Sequence, residues 1–294
     1  MATDTRTFEF DSMRGADGSF QRREAAYREL PELEPGRFHL YVSPACPWSH
    51  RAIIARRVKE LEDAISESWV APYRDERGWA FSGDEFSDPL EGFGFLREAY
   101  EATGGEVPDH ITVPVLWDKE DRRVVNNESA DLLRLFNAWG DGPDLYPQGL
   151  RAEIDAINHR VYETVNNGVY RAGFARSQAA YDRAFTELFE SLDWLERRLR
   201  ARRYLAGDVI TEADWRLFPT LVRFDPVYHT HFRCNGRLLT QYPNLWAYAR
   251  ELYQQPGIAE TVEPDQIKRH YYTTHDSLNP KRIIPAGPLD LGFE

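Results

Sequence analysis

The chain has 294 residues, 42% of them hydrophobic and 29% charged, with a formal net charge of -12. This length suits two packed domains, and a uniformly acidic surface repels phosphate backbones, so no nucleic-acid partner is expected. No apolar run approaches the roughly 20 residues of a membrane span, so no membrane association is expected either. The N-terminus, MATDTRTFEFDSMRG, lacks the basic-then-apolar order of a secretory signal. Cys46 and Cys234 are the only cysteines. They are too few for a disulfide framework, and a reducing, cytoplasmic location is expected.

Residues 1–36 are polar, with turn formers at Gly15, Gly18, Pro31, Pro35 and Gly36, and read as an N-terminal extension laid on a domain. Residues 37–42 (RFHLYV) alternate and predict a strand. Ser43-Pro44-Ala45 makes a turn, and a helix is predicted from Cys46 or Pro47 to Glu60, with Pro47 tolerated in its first turn. A second strand is predicted over 66–71. From Pro72 to about His110 the pattern is lost and Gly and aromatics dominate. So long an insertion, at about 72–111, is usually functional or carries short helices. A third strand (Thr112 to Trp117), a fourth (Arg122 to Asn126) and a helix from near Glu128 follow. The order β-α-β, insertion, β-β-α suits a thioredoxin-like domain over 37–140.

The Pro- and Gly-rich stretch 141–149 reads as a linker. Over 150–262 the periodicity is helical: Phe185, Leu188, Phe189, Leu192, Leu195 and Leu199 fall on one stripe. Further helices are predicted over 151–166, 211–223 and 243–254. The tail, 263–294, contains prolines and reads as mostly irregular. The fold class is therefore α/β plus all-α.

The sharpest chemical signal is Ser43-Pro44-Ala45-Cys46-Pro47-Trp48-Ser49-His50-Arg51. It sets a cysteine between strand and helix, where unpaired N–H groups and the dipole favour a thiolate and a lowered pKa. His50 and Arg51, one turn on, are candidate sources of further positive potential. Ser49 occupies the position of a resolving cysteine, so Cys46 depends on an external thiol or on the distant Cys234 to complete a redox cycle. The plainer reading is a buried small hydrophobe. Val113-Pro114 precedes a strand, and a proline facing a thiol site is commonly cis; Val113 then offers its main chain to an extended thiol peptide. The alternative is an edge-strand proline. Glu128 and Ser129 open a helix, where a carboxylate and a helix N-terminus could hold the amino and carboxylate groups of a γ-glutamyl end. Alone, they read as a simple N-cap with an acidic first turn. Thr211 to Asp214, preceded by Ile210, reads as a capping box without chemistry. His229, His231 and Cys234, and His270 with His275, look metal-like, but no C-x-x-C or HExxH accompanies them, and no metal site is expected.

Together CPWSHR, GWAF at 78–81, VPVLWD at 113–118, NNES, VNNGVYRAGFA at 165–175, TEADWRLFPTLVRFDPVYHTHFRCN, YPNLWAYARELYQ and IKRHYYTTH resemble the Xi class of glutathione transferases, the glutathionyl-hydroquinone reductases. The resemblance runs from about Phe38 to Pro288. It implies a thioredoxin-like domain followed by a helical domain, with the tail packing near the active site. It implies reduction of S-glutathionyl-hydroquinones, with Cys46 attacking the glutathione sulfur and a second glutathione resolving the mixed disulfide. Tyr170 and Tyr271 match the tyrosines that hold the quinol, and Trp48 flanks the pocket. Trp79, Val113, Glu128 and Ser129 match glutathione-binding positions, joined by an arginine of the insertion, Arg97. The resemblance also implies a homodimer. Ser49 departs from the Ala more usual after CPW. The acidic, Lys-poor composition fits a GC-rich genome or a saline habitat. In the latter case γ-glutamylcysteine, which lacks only the glycine, is an alternative co-substrate. The competing readings are a broader thiol transferase or dehydroascorbate-type reductase, and a non-catalytic docking protein.

Overall fold

The computed structural model describes residues 13, 15–288 and 290–294. The remainder of the extension assigned to 1–36 lies outside the described residues. The chain begins with β1 (Phe38–Val42), α1 (Pro47–Val58) and β2 (Ser66–Trp69), and resumes after the insertion with β5 (Val115–Asp118), β6 (Arg123–Asn126) and α3 (Ser129–Trp139). The sheet order is β2-β1-β5-β6. β1 runs parallel to β2 and antiparallel to β5, and β5 runs antiparallel to β6. β1 is buried along its whole length, as a strand covered on both faces must be. This is the thioredoxin-like arrangement.

The outer edge of β6 is not left open. Arg28 bridges Asn126, the Glu29 N–H donates to the Val125 carbonyl at 3.1 Å, and the Asn127 N–H donates to the Tyr27 carbonyl at 3.0 Å. The N-terminal extension thereby satisfies an edge that would otherwise invite pairing with another chain.

The insertion carries a short hairpin, β3 (Arg74–Asp75) with β4 (Gly78–Trp79), and α2 (Arg97–Thr103). The helical half comprises α4 (Arg151–Val161), α5 (Gly168–Gly173), α6 (Gln178–Leu199), α7 (Glu212–Arg223), α8 (Pro243–Tyr253) and α9 (Pro264–Thr274). The predicted helix over 151–166 continues past α4 only as a π turn, Tyr162–Asn166, and a second π turn, Phe224–Tyr228, follows α7. The capping box forms at α7: the Asp214 carboxylate accepts the Thr211 N–H at 2.7 Å.

The tail departs from expectation. Pro264 begins α9 rather than preventing a helix, because proline is accommodated at a first helical position. The buried residues of α9 are Gln266, Ile267, His270, Tyr271, Tyr272 and Thr274, most of them carrying a polar group. α1 packs against α3 on one side and α7 on the other, so the sheet half and the helical half meet around the cysteine helix. Among the described residues no helix is long and apolar enough to cross a membrane.

Candidate active site

Cys46 is the N-cap of α1, with extended backbone (φ -81°, ψ 124°) and Pro47 in the first turn. Its side chain is only 8% exposed. The Val113–Pro114 peptide is cis, and it brings the Val113 carbonyl to 3.9 Å from the Cys46 sulfur. Burial pushes the Cys46 thiol up, against the lowering expected from its place at a helix start. The N–H groups of Ser49 and Trp48 act in the opposite sense, as do the Arg223 and Arg22 guanidiniums, and burial outweighs them in the ligand-free chain.

The nearby cations are not the two that the sequence suggested. His50 is fully buried. The Thr261 hydroxyl donates to the Ile258 carbonyl at 2.6 Å, so it receives the His50 Nε2–H at 2.8 Å. His50 Nδ1 is then an acceptor for Arg223 Nη1 at 3.1 Å. Burial, reinforced by Arg223, holds the His50 pKa well below its ordinary value, so the ring is neutral. Arg51 turns toward the helical half, bonding Asn166 Oδ1 at 2.7 Å and Ser129 Oγ at 3.4 Å.

Arg223 takes the place behind the thiol. It is fully buried at the end of α7. Nε donates to the Ala45 carbonyl at 3.0 Å, Nη2 to Pro44 at 2.6 Å and Nη1 to Pro219 at 2.7 Å. Among the described residues it makes no salt bridge. Its charge therefore faces the turn that presents Cys46. A lone arginine in the apolar run LFPTLVRF was the available signal for it.

Three tyrosines form a hydroxyl chain. Tyr170 and Tyr271 lie 2.7 Å apart, oxygen to oxygen, and Tyr271 and Tyr228 2.8 Å. Tyr228 carries no motif of its own in the sequence, where it stands beside the metal-like run HTHFRC. Both π turns serve this chain: one precedes α5 and Tyr170, and the other ends on Tyr228. Such turns re-aim side chains within otherwise regular helices. Burial raises the pKa of all three hydroxyls, and the adjacent Cys46 adds to the rise at Tyr170. All three are protonated at neutral pH.

Phe232 supports the chain, with ring centroids 5.2 Å from Tyr170 and 5.6 Å from Tyr271. It fits because residue 173 is glycine: an added Cβ would lie 2.4 Å from the Phe232 ring. Gly173→Ala is expected to lower stability by about 1–3 kcal/mol through overpacking. The expected readout is a lower denaturation midpoint at unchanged m-value.

A cavity of about 680 Å³ opens beside the thiol turn, lined by Trp48, Val113, Glu128, Ser129 and Arg22 among others. The Glu128 carboxylate caps α3 by accepting the Ala130 N–H at 2.9 Å. Trp79 does not line this cavity. It is buried in the same apolar cluster as Cys46 and Val113 and stacks on His270 at 4.8 Å. Arg97 begins α2 and does not line the cavity either. His231 Nε2 and His275 Nδ1 lie 3.1 Å apart, while the Cys234 thiol faces the Val169 and Phe232 carbonyls. Among the described residues no group of three or more His, Cys, Asp or Glu is arranged to hold a metal.

Known proteins share this architecture. The pattern described as "Glutathione S-transferase, N-terminal domain" matches residues 45–139, and "Glutathione S-transferase, C-terminal domain" matches 178–251. The chain is 46% identical over 286 residues to the glutathionyl-hydroquinone reductase PcpF of Sphingobium chlorophenolicum, covering 94% of this chain and 91% of that protein. It superposes on the glutathione transferase Xi of Phanerochaete chrysosporium with a TM-score of 0.91, at 44% identity and 95% coverage of both chains. The glutathione-bound structure of YqjG, a glutathione transferase homologue from Escherichia coli K-12, matches with a TM-score of 0.85 at 48% identity and 88% coverage of both chains. The chain belongs to the Xi-class glutathione transferases, the family of the glutathionyl-hydroquinone reductases.

Proposed function

We propose that this enzyme reduces S-glutathionyl-hydroquinones to hydroquinones through a mixed disulfide at Cys46. The observation that carries the reading is a single thiol at a helix start, facing a main-chain carbonyl on one side, with Tyr170, first of a chain of three protonated tyrosine hydroxyls, within its electrostatic reach. The kinship with a glutathionyl-hydroquinone reductase and with a glutathione-bound relative supports it.

In this reading Glu128 and Ser129 hold the γ-glutamyl end, and the Val113 main chain holds the cysteinyl part of glutathione. Trp79 and Arg97 are further glutathione-binding candidates. Trp48, Tyr170 and Tyr271 face the ring. A ring hydroxyl gives up its proton to the tyrosine chain while Tyr170, linked to Tyr271 and Tyr228, protonates the ring carbon that bears sulfur, so the chain ends neutral. The Cys46 thiolate then attacks that sulfur. A sulfur–sulfur bond forms and the carbon–sulfur bond breaks. Its electron pair restores the aromatic ring and leaves a phenolate, which takes up the proton that the Cys46 thiol gave up on ionising. The hydroquinone departs and Cys46 is left joined to glutathione. A second glutathione thiolate attacks the mixed disulfide, freeing Cys46 and giving glutathione disulfide. Atoms and electrons balance: the ring is reduced, and the thioether sulfur and one thiol sulfur are oxidised to the disulfide.

Tyr170→Phe removes the proton donor. Its single-turnover rate of hydroquinone release is expected to fall about 10²-fold or more, within the range of general acid catalysis. Exchange with a small aliphatic disulfide, which protonates no ring carbon, should change little.

A cytoplasmic, homodimeric enzyme goes with this reading, and both cysteines are free thiols. The choice of co-substrate is tested by steady-state turnover with glutathione and with γ-glutamylcysteine, each with its own conjugate. One hydroquinone per disulfide with either thiol supports the reductase reading and names the thiol. Turnover of small disulfides alone would replace it with the broader thiol-transferase reading.

A further inference from the structure

The N-terminal extension reaches the tyrosines. The Phe20 ring is buried against Tyr170 and Phe174, with centroid distances of 6.2 and 5.7 Å. Residues 27–29 are hydrogen-bonded along β6. Between these anchors Arg22 turns inward. Its guanidinium lies 4.6 Å from the Trp48 ring centroid and 4.7 Å from that of Tyr170, cation–π distances on the two rings that flank the quinol in the reading above. Nε donates to Asn167 Oδ1 at 2.7 Å. Nη2 is buried and, among the described residues, donates to no group. A buried donor without an acceptor is costly and calls for an explanation. Arg22 also lines the cavity.

The reaction asks for such a donor. A buried thiolate attacks while negative charge grows on a ring oxygen, yet the tyrosines are neutral. Arg223 is occupied elsewhere: four of its five N–H hydrogens go to the Pro44, Ala45 and Pro219 carbonyls and to His50.

We propose that Arg22 donates its spare Nη2–H to the ring oxygen that becomes phenolate as the carbon–sulfur bond breaks, so that the N-terminal extension supplies part of the quinol site. The proposal rests on the reductase reading. The bond-making is unchanged: the electron pair released from sulfur runs through the ring to that oxygen, and the guanidinium holds the charge until a proton arrives.

The test uses the full chain, wild type, Arg22→Met and Arg22→Lys, in single turnover with glutathionyl-hydroquinones whose ring substituents vary the acidity of the hydroxyl. Methionine keeps a stem against Trp48 and Tyr170. Its release rate is expected to fall about 10²-fold with the least acidic ring, as for loss of a donor to a developing oxyanion. The loss should shrink as the ring becomes more acidic, steepening the dependence of rate on phenol pKa. Lysine should recover part of the rate. Exchange with the mixed disulfide of glutathione and 2-mercaptoethanol, which releases no ring oxygen, should stay within about 3-fold. An equal loss in both reactions with an unchanged slope would overturn the proposal, as would no loss in either. Failure of the reductase reading is separate: the wild type would then release no hydroquinone from any conjugate.

Discussion

Cys46→Ser is expected to lower kcat/KM for a glutathionyl-hydroquinone by at least about 10³-fold, the scale of removing a nucleophile. Serine preserves size and fold, so the denaturation midpoint should hardly move. No other thiol can substitute. Cys234 is fully buried, its thiol is pushed up by that burial, and its sulfur faces the Val169 and Phe232 carbonyls. This burial argues against Cys234 as the thiol that resolves the redox cycle, a role open from the sequence. Cys234→Ala should leave the rate within about 2-fold, and steady-state kinetics of both variants checks the pair.

Arg223→Met is the second large effect, and it acts on stability and reactivity together. Methionine has similar length but no donors, so the carbonyls of Pro44 and Ala45 lose the guanidinium, while Pro219 keeps its place in the α7 ladder. Each buried acceptor left unpaired costs about 1–3 kcal/mol, so a loss of about 2 kcal/mol or more is expected in denaturant unfolding. The cation behind the thiol also disappears. Burial already pushes the Cys46 thiol up, and Arg223 is among the groups that pull it down. Without it the thiol moves further up. The rate of Cys46 alkylation should therefore rise with pH through a midpoint above the ordinary thiol value of about 8.5 in the wild type, and through a still higher one in Arg223→Met. Arg223→Lys should hold part of the field while losing much of the bonding, because one ammonium replaces a planar fork.

What could be read from the sequence was mostly local. Strand, turn and helix around Cys46 follow from RFHLYV, SPA and Pro47 because each signal concerns its own few residues. Val113-Pro114 and Glu128-Ser129 were legible for the same reason: a proline before a strand and an acidic opening to a helix act within one turn. Arg22, Arg223 and Tyr228 were not. Arg223 meets Cys46 through carbonyls 178 and 179 positions away in sequence, and no pattern within the run LVRFDPVY gives that distance. Arg22 sits in a segment with no periodicity, held by a sheet edge and one buried ring. The helix α9 gives little hydrophobic rhythm in the sequence, because its buried residues are Gln266, His270, Tyr271, Tyr272 and Thr274 around Ile267. His50 and Arg51 were expected to bring positive potential to Cys46. Folding turns His50 into a neutral acceptor and points Arg51 at Asn166, an outcome set by partners on other helices.

The central claim is that one covalent intermediate forms, at Cys46, when the hydroquinone leaves. The most direct measurement is a single turnover of the purified chain with a glutathionyl-hydroquinone and no free thiol, followed by intact-protein and peptide mass spectrometry. The account predicts one equivalent of hydroquinone released per chain, with one glutathione added at Cys46, and neither in Cys46→Ser. Release of hydroquinone without the adduct, or at an undiminished rate from Cys46→Ser, would contradict it.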